Sequence, residues 1–275
     1  MSVSRNSFFV SWRKSIFWVL VSLVVAACLW RLETERHTVN SQQLETPQGE
    51  VSLFSPKTGA VGPLVVVTHG FAGSRQMMQY ISRDLARAGF QVAAFDFFGH
   101  GRNGTLLSPD VTRIEGTTQQ LVEQTKAVLA SLQSAGVDTE RVSVLGHSMA
   151  TDIIIRAARD LSGVGGVVAI SMYSDAVTSQ FPKRLLVISG EWEARLRDVG
   201  REMVKQVDEA AVEGETALQG DVMRRAVFAP NTEHVAVLFA TKTMEEARAW
   251  LLQAFGLDAQ GRTIAQGLNI AQLLL

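Results

Sequence analysis

The chain has 275 residues, 47% of them hydrophobic and 19% charged, with a formal net charge of −1. That length and apolar content suffice to bury one sizeable core with a small appendage. A near-neutral chain has no field to draw nucleic acid or an anionic surface, and its single cysteine, Cys28, excludes an internal disulfide and a Cys-based metal cluster.

The N-terminus stands apart from the rest. Arg5, Arg13 and Lys14 precede an uncharged, strongly apolar stretch at 15–30, closed by Arg31. A buried core helix should show a polar face, and this stretch has none. Its 16 residues are short for a span, which needs about 20, but Trp12 and Trp30 extend its reach at the interface. Positive charge before the stretch predicts the N-terminus inside and the remainder exported. A cleaved signal is the rival expectation. Val25-Ala26-Ala27-Cys28 also resembles a lipoprotein cleavage box, which makes Cys28 an alternative point of lipid attachment. Residues 1–31 are therefore expected to be a membrane anchor or signal segment, followed by a polar stem at 32–48 with room for an early strand.

From residue 49 the chain changes character. Residues 50–54 alternate like a short strand, and 64–68 form a continuous apolar run, as a strand buried on both faces requires. That run ends in His69-Gly70-Phe71-Ala72-Gly73, after which Met77, Met78, Ile81, Leu85 and Ala88 follow at helical spacing. A strand at 90–95 leads into Asp96 and Gly99-His100-Gly101-Arg102-Asn103-Gly104. These glycines match a dinucleotide fingerprint in spacing only. Ser108-Pro109-Asp110 follows them instead of a helix, this is not the first strand–helix unit, and no strand-end acid lies about 20 residues on for a ribose. An amphipathic helix at 116–135 carries Leu121, Val128 and Leu132.

Residues 142–150 read Val-Ser-Val-Leu-Gly-His-Ser-Met-Ala, and helical spacing begins at once with Ile153 and Ile154. Strand, sharp turn and helix share Ser148 at their corner, the geometry of a nucleophile elbow. Small residues at 146 and 150 let strand and helix approach. Further strands are expected at 167–171, 184–189 and 227–228, then a helix through Met244, Ala247, Trp250 and Phe255. Apolar strands alternating with helices predict an α/β class, a mostly parallel twisted sheet with helices on both faces. The α/β domain spans 49–258, and 259–275 is an apolar C-terminal tail.

A serine hydroxyl needs a base, itself oriented by an acid. Around such an elbow the partners follow in the order serine, acid, histidine. His234 is the only histidine after Ser148; His147 adjoins it and should point away from the hydroxyl. For the acid, Glu193 is chosen because it lies about three residues past a strand end, with Glu191 and Asp198 as alternatives. The oxyanion needs two N–H donors, assigned to the backbone of Met149 and of Phe71.

Together these residues resemble the α/β-hydrolase superfamily over roughly 51–257, on four stations in order: His69-Gly70-Phe71-Ala72-Gly73, Asp96 with Gly99-His100-Gly101, the serine elbow, and His234. The resemblance implies an eight-stranded sheet. Ala150 departs from the usual glycine, and a glutamate from the commoner aspartate. Only 172–183 is available for the helical lid of many relatives, so the chain looks like the lidless, dienelactone-hydrolase-related members. The expected activity is a membrane-tethered serine hydrolase of carboxylic esters, thioesters or amides. Its partner would be a small acyl ester substrate, with no metal, cofactor or nucleic acid. The rival classes are a non-catalytic binding or scaffold protein and an acyltransferase.

Overall fold

A computed structural model describes residues 5–110 and 113–257. The expected apolar tail at 259–275 lies outside the described residues. The chain divides into two units, one holding the N-terminal helix and the other beginning at Val39.

Helix α1 runs over Arg5–Arg36, twice the length of the apolar stretch that marks it. Its segment Trp12–Thr34, 23 residues, is long and apolar enough to cross a membrane, a property that anchors and signal sequences share.

The second unit is built on one nine-stranded sheet in the order β1-β2-β4-β3-β5-β6-β7-β9-β8. The strands are β1 (Val39–Thr46), β2 (Gly49–Pro56), β3 (Leu64–Thr68), β4 (Gln91–Phe95), β5 (Val142–His147), β6 (Val164–Ile170), β7 (Arg184–Gly190), β8 (Thr216–Gln219) and β9 (Val222–Ala229). The six from β4 to β9 in space are parallel, while the hairpin β1–β2 joins antiparallel at one side and β8 at the other. Strands β3 and β5 are buried along their whole length, which is why they are apolar without alternation. The sheet has one strand more than the eight the resemblance implies. It also begins earlier, since β1 takes up residues read as stem.

Helices α2 (Gln79–Arg87) and α6 (Thr241–Phe255) touch each other over one face of the sheet. Helices α3 (Gln119–Ser134) and α4 (Met149–Asp160) pack together over the other, where α5 (Ala194–Lys205) joins the same core through Val204. Parallel strands bring the loops after β3, β5, β6, β7 and β9 to one edge of the sheet, where side chains distant in sequence converge. Among the described residues no helix lies between β6 and β7, whose connection at this edge is short and irregular. Arg224, fully buried on β9, pins that connection by donating to the carbonyls of Thr178 and Phe181, and ties it to α5 through Met203 O and Gln206 Oε1.

Candidate active site

Ser148 sits between the last residue of β5 and the first of α4 with φ +53° and ψ −121°, a conformation that non-glycine residues rarely adopt. Its N–H donates to Ile170 O, so the neighbouring strand holds the strained residue in place. The turn closes only because residue 146 has no side chain. A Cβ on Gly146 would lie 3.0 Å from Thr68 Oγ1 and 3.1 Å from Ala150 Cβ. The methyl of Ala150, fully buried, fits into the space that Gly146 leaves, so the departure from a second glycine is accommodated.

His234 comes from the loop after β9. Its Nε2 is 2.8 Å from Ser148 Oγ, and its Nδ1 is 2.5 Å from Glu193 Oε1. A carboxylate only accepts, so Nδ1 carries the proton and Nε2 is left to accept from the serine. The Glu193 side chain is 6% exposed and that of His234 44%. The other Glu193 oxygen accepts from Ser171 Oγ at 2.7 Å and from the Gly190 N–H at 2.6 Å. The two alternative acids are elsewhere: Glu191 accepts the Asn231 N–H, and Asp198 pairs with Arg201. The structure thus brings together Ser148, His234 and Glu193, and leaves Glu191 and Asp198 out.

Met149 opens α4, where a backbone N–H has no acceptor within the helix. The turn after β3 passes directly beside Ser148. A Cβ on Gly70 would lie 3.0 Å from Ser148 Cβ and 3.0 Å from His147 Nδ1, so only glycine lets the backbone of residues 70–71 come this close. Asp96, buried at the end of β4, holds the far side of that turn through the Arg75 N–H at 2.7 Å and also accepts the Arg102 N–H at 3.0 Å. His69 is buried with both ring nitrogens engaged, Nδ1 on Gly70 O and Nε2 accepting from the Phe97 N–H, and burial pushes its pKa down.

Two contacts had no counterpart in the sequence reading. His147 Nε2 donates to the backbone carbonyl of His234 at 2.8 Å, its ring lies 4.8 Å from that of His234, and it lines the same cavity as Ser148. Burial pushes its pKa down to about 4, so it is neutral at pH 7. Ser171, fully buried with φ +52°, supplies the hydroxyl on Glu193. Its only signal in the sequence is its place just past a strand end.

A cavity of about 230 Å³ opens onto Ser148. It is lined by the turn 69–73, by Met77 and Met78, and by His234, Val235 and Leu238. The Phe71 ring stands at its mouth, 73% exposed.

No curated protein matches the chain. Among solved structures, a dienelactone hydrolase from Anabaena variabilis superposes with a TM-score of 0.57 at 19% identity, covering 82% of this chain and 100% of its own. A lidless α/β serine hydrolase from Xanthomonas campestris gives 0.53 at 16%, covering 82% and 97%. An esterase from Pyrobaculum calidifontis gives 0.54 at 17%, covering 86% and 92%. These likenesses establish the α/β-hydrolase fold. The family described as serine aminopeptidase, S33, matches residues 59–200, which include the turn after β3, the serine elbow and Glu193 but stop short of His234. By that match, over half its length, the chain belongs to the S33 serine aminopeptidase family of α/β-hydrolases.

Proposed function

We propose that the protein is a membrane-tethered serine hydrolase that cleaves carboxylic esters, with thioesters and amides as chemically related substrates, through an acyl-enzyme. Ser148 Oγ forms a bond to the substrate carbonyl carbon while its proton passes to His234 Nε2. The carbonyl oxygen becomes an oxyanion and accepts from the N–H groups of Met149 and Phe71. Collapse breaks the bond to the leaving oxygen, which takes the proton from His234. Water then repeats the cycle on the acyl-enzyme, releasing the acid and restoring Ser148. Glu193 keeps the imidazole in the Nδ1–H tautomer and stabilises the imidazolium; Ser171 and Gly190 aim its carboxylate.

The observation that carries this reading is the unbroken line of hydrogen bonds from Ser148 Oγ through His234 to Glu193. Labelling of the detergent-solubilised chain with a fluorophosphonate is the direct experiment. Wild type should label, and Ser148→Ala and His234→Ala should not. The Ser148→Ala change should also lower turnover by several orders of magnitude, because triad members act as a unit. A folded wild type that does not label would overturn the proposal.

The tether is α1. Arg13 and Lys14 ahead of the apolar segment favour an N-terminus inside and a hydrolase unit on the outer face of the membrane.

A further inference from the structure

The sheet ends in two edge strands, and they differ. Strand β8 has four residues, short as protected edges are. Strand β1 has eight, paired with β2 over its whole length without a bulge. It carries one charge, Glu45, and neither proline nor lysine, the residues that discourage a second strand at an edge. Among the described residues no strand pairs with its outer side. The hairpin fixes the direction of its main-chain groups. Pro47-Gln48 joins Thr46 to Gly49, so Thr46 and every second residue before it, Leu44, Gln42 and Asn40, bond to β2. Ser41, Gln43 and Glu45 turn their N–H and C=O groups outward, and all three residues are exposed. An open row of this kind is a template for another strand.

Strand β1 is complementary to itself. Paired antiparallel about Gln43, it sets Gln43 against the partner's Gln43 and Ser41 against the partner's Glu45. All of these face outward, so about six main-chain hydrogen bonds join the two strands. Leu44 then lies against the partner's Gln42, and no two like charges oppose each other. A register centred on Gln42 is poorer, because it sets the apolar Val39 against the partner's Glu45. The two-fold axis runs along the sheet normal, so the helix layers of the two copies stay on matching sides. A cavity of about 550 Å³ borders this edge, between Leu44 and Pro47 on one side and Ala127, Ala130 and Ser131 of α3 on the other. The partner's Leu44 comes to the same face beside it.

We propose that two copies of the chain associate through β1, joining their sheets into one across a two-fold axis at Gln43. The occupant of the edge is a second copy because the strand matches itself in hydrogen bonding and charge. Copies held by α1 in one bilayer also meet at high effective concentration. Strand β1 lies four places from β5 in the sheet, so the catalytic edge is no part of the contact and Ser148 plays no role in it. The same pairing should form in detergent at higher protein concentration, whether or not α1 spans a membrane.

The experiment uses the full chain with Cys28→Ser, reconstituted in phosphatidylcholine vesicles. Directly opposed, hydrogen-bonded residues of an antiparallel pair have Cα atoms about 5.5 Å apart, within disulfide range. Under a mild oxidant Gln43→Cys should run as a covalent dimer, and Leu218→Cys, exposed on the other edge strand β8, as a monomer. Crosslinking at both positions, or at neither, would overturn the proposal. A second variant, Gln43→Pro, places its ring where an N–H points away from β2, so the fold stands, while each copy loses one donor to its partner. Energy transfer between copies labelled at Thr58→Cys, an exposed position, should then need at least about tenfold more protein per lipid, with the far-ultraviolet circular dichroism unchanged. Gln43→Lys sets two lysines against each other at the axis and should act alike, which covers a proline variant that does not fold. Unchanged energy transfer in both variants refutes pairing through β1. A monomer whose Ser41, Gln43 and Glu45 amides are already protected from hydrogen exchange assigns the edge to another segment of the chain and refutes it too.

Discussion

His147 is the neighbour of Ser148 in the chain and of His234 in space. Its Nε2–H on His234 O ties the loop after β9 to the elbow independently of the catalytic hydrogen bonds. Replacing it with leucine removes the donor and leaves a carbonyl unpaired, a loss of about 1–3 kcal/mol. Part of that loss should fall on the transition state, where Ser148 and His234 must stay in line. We predict that His147→Leu lowers kcat about tenfold or more with KM within about twofold, and that His147→Gln, which keeps an N–H donor at similar reach, recovers much of the loss. Equal behaviour of the two variants, or a change confined to KM, would mean that His147 only fills space. Ser148 and His234 were legible in the sequence because a small-residue elbow between strand and helix, and a single later histidine, leave little choice. Glu193 was separable from Glu191 and Asp198 only by loop length, because all three are carboxylates on one short stretch and only folding shows which meets the imidazole. The contacts of Ser171 and His147 depend on backbone carbonyls and a left-handed φ, which leave no trace in residue type.

Among the elements, the strands that could be read are those buried on both faces. Strands β3, β4, β5, β6 and β7 each show as an apolar run because helices cover both sides of the sheet. Strand β1 reads as polar stem because, at the edge, most of its residues face solvent, and in β8 only Ala217 is buried. Helix α5 buries only Gly200 and Val204, too little to write a stripe at helical spacing. The short β6–β7 connection was legible as the absence of room for a lid, but its brace was not. Arg224 lies at full burial with its guanidinium on main-chain carbonyls, and burial lowers its pKa to about 10. Arg224→Ala would strip donors from Phe181 and Met203 and open a cavity between β9 and α5. We predict a loss of about 3 kcal/mol or more, read as a lower urea midpoint with unchanged slope.

For the molecule as a whole, the buried histidines set the acid side of stability. In the unfolded chain His147 titrates near 6.5, in the folded one near 4, with His234, Glu193 and Glu233 as the charged or titratable groups around it. Between these values the unfolded state binds the extra proton, so stability is complete above pH 6.5 and declines as pH falls toward 4. The loss amounts to about 3 kcal/mol from this residue, and His69, also shifted down by burial, acts in the same direction. Urea unfolding of wild type at pH 7 and pH 4.5, against His147→Gln, measures it: the variant should lose less stability on acidification. A variant with the same acid slope as wild type would contradict the assignment. The uncovered catalytic edge has a consequence of another kind. With the β6–β7 connection pinned by Arg224 and no helix within it, that segment has nothing to unlatch before a substrate arrives or a product leaves. In the proposed mechanism the acyl-enzyme would face solvent from the β6–β7 side, where an enzyme that passed its acyl group to another acceptor would have to keep water out. Water is the most abundant nucleophile there, so the proposed intermediate would end in hydrolysis.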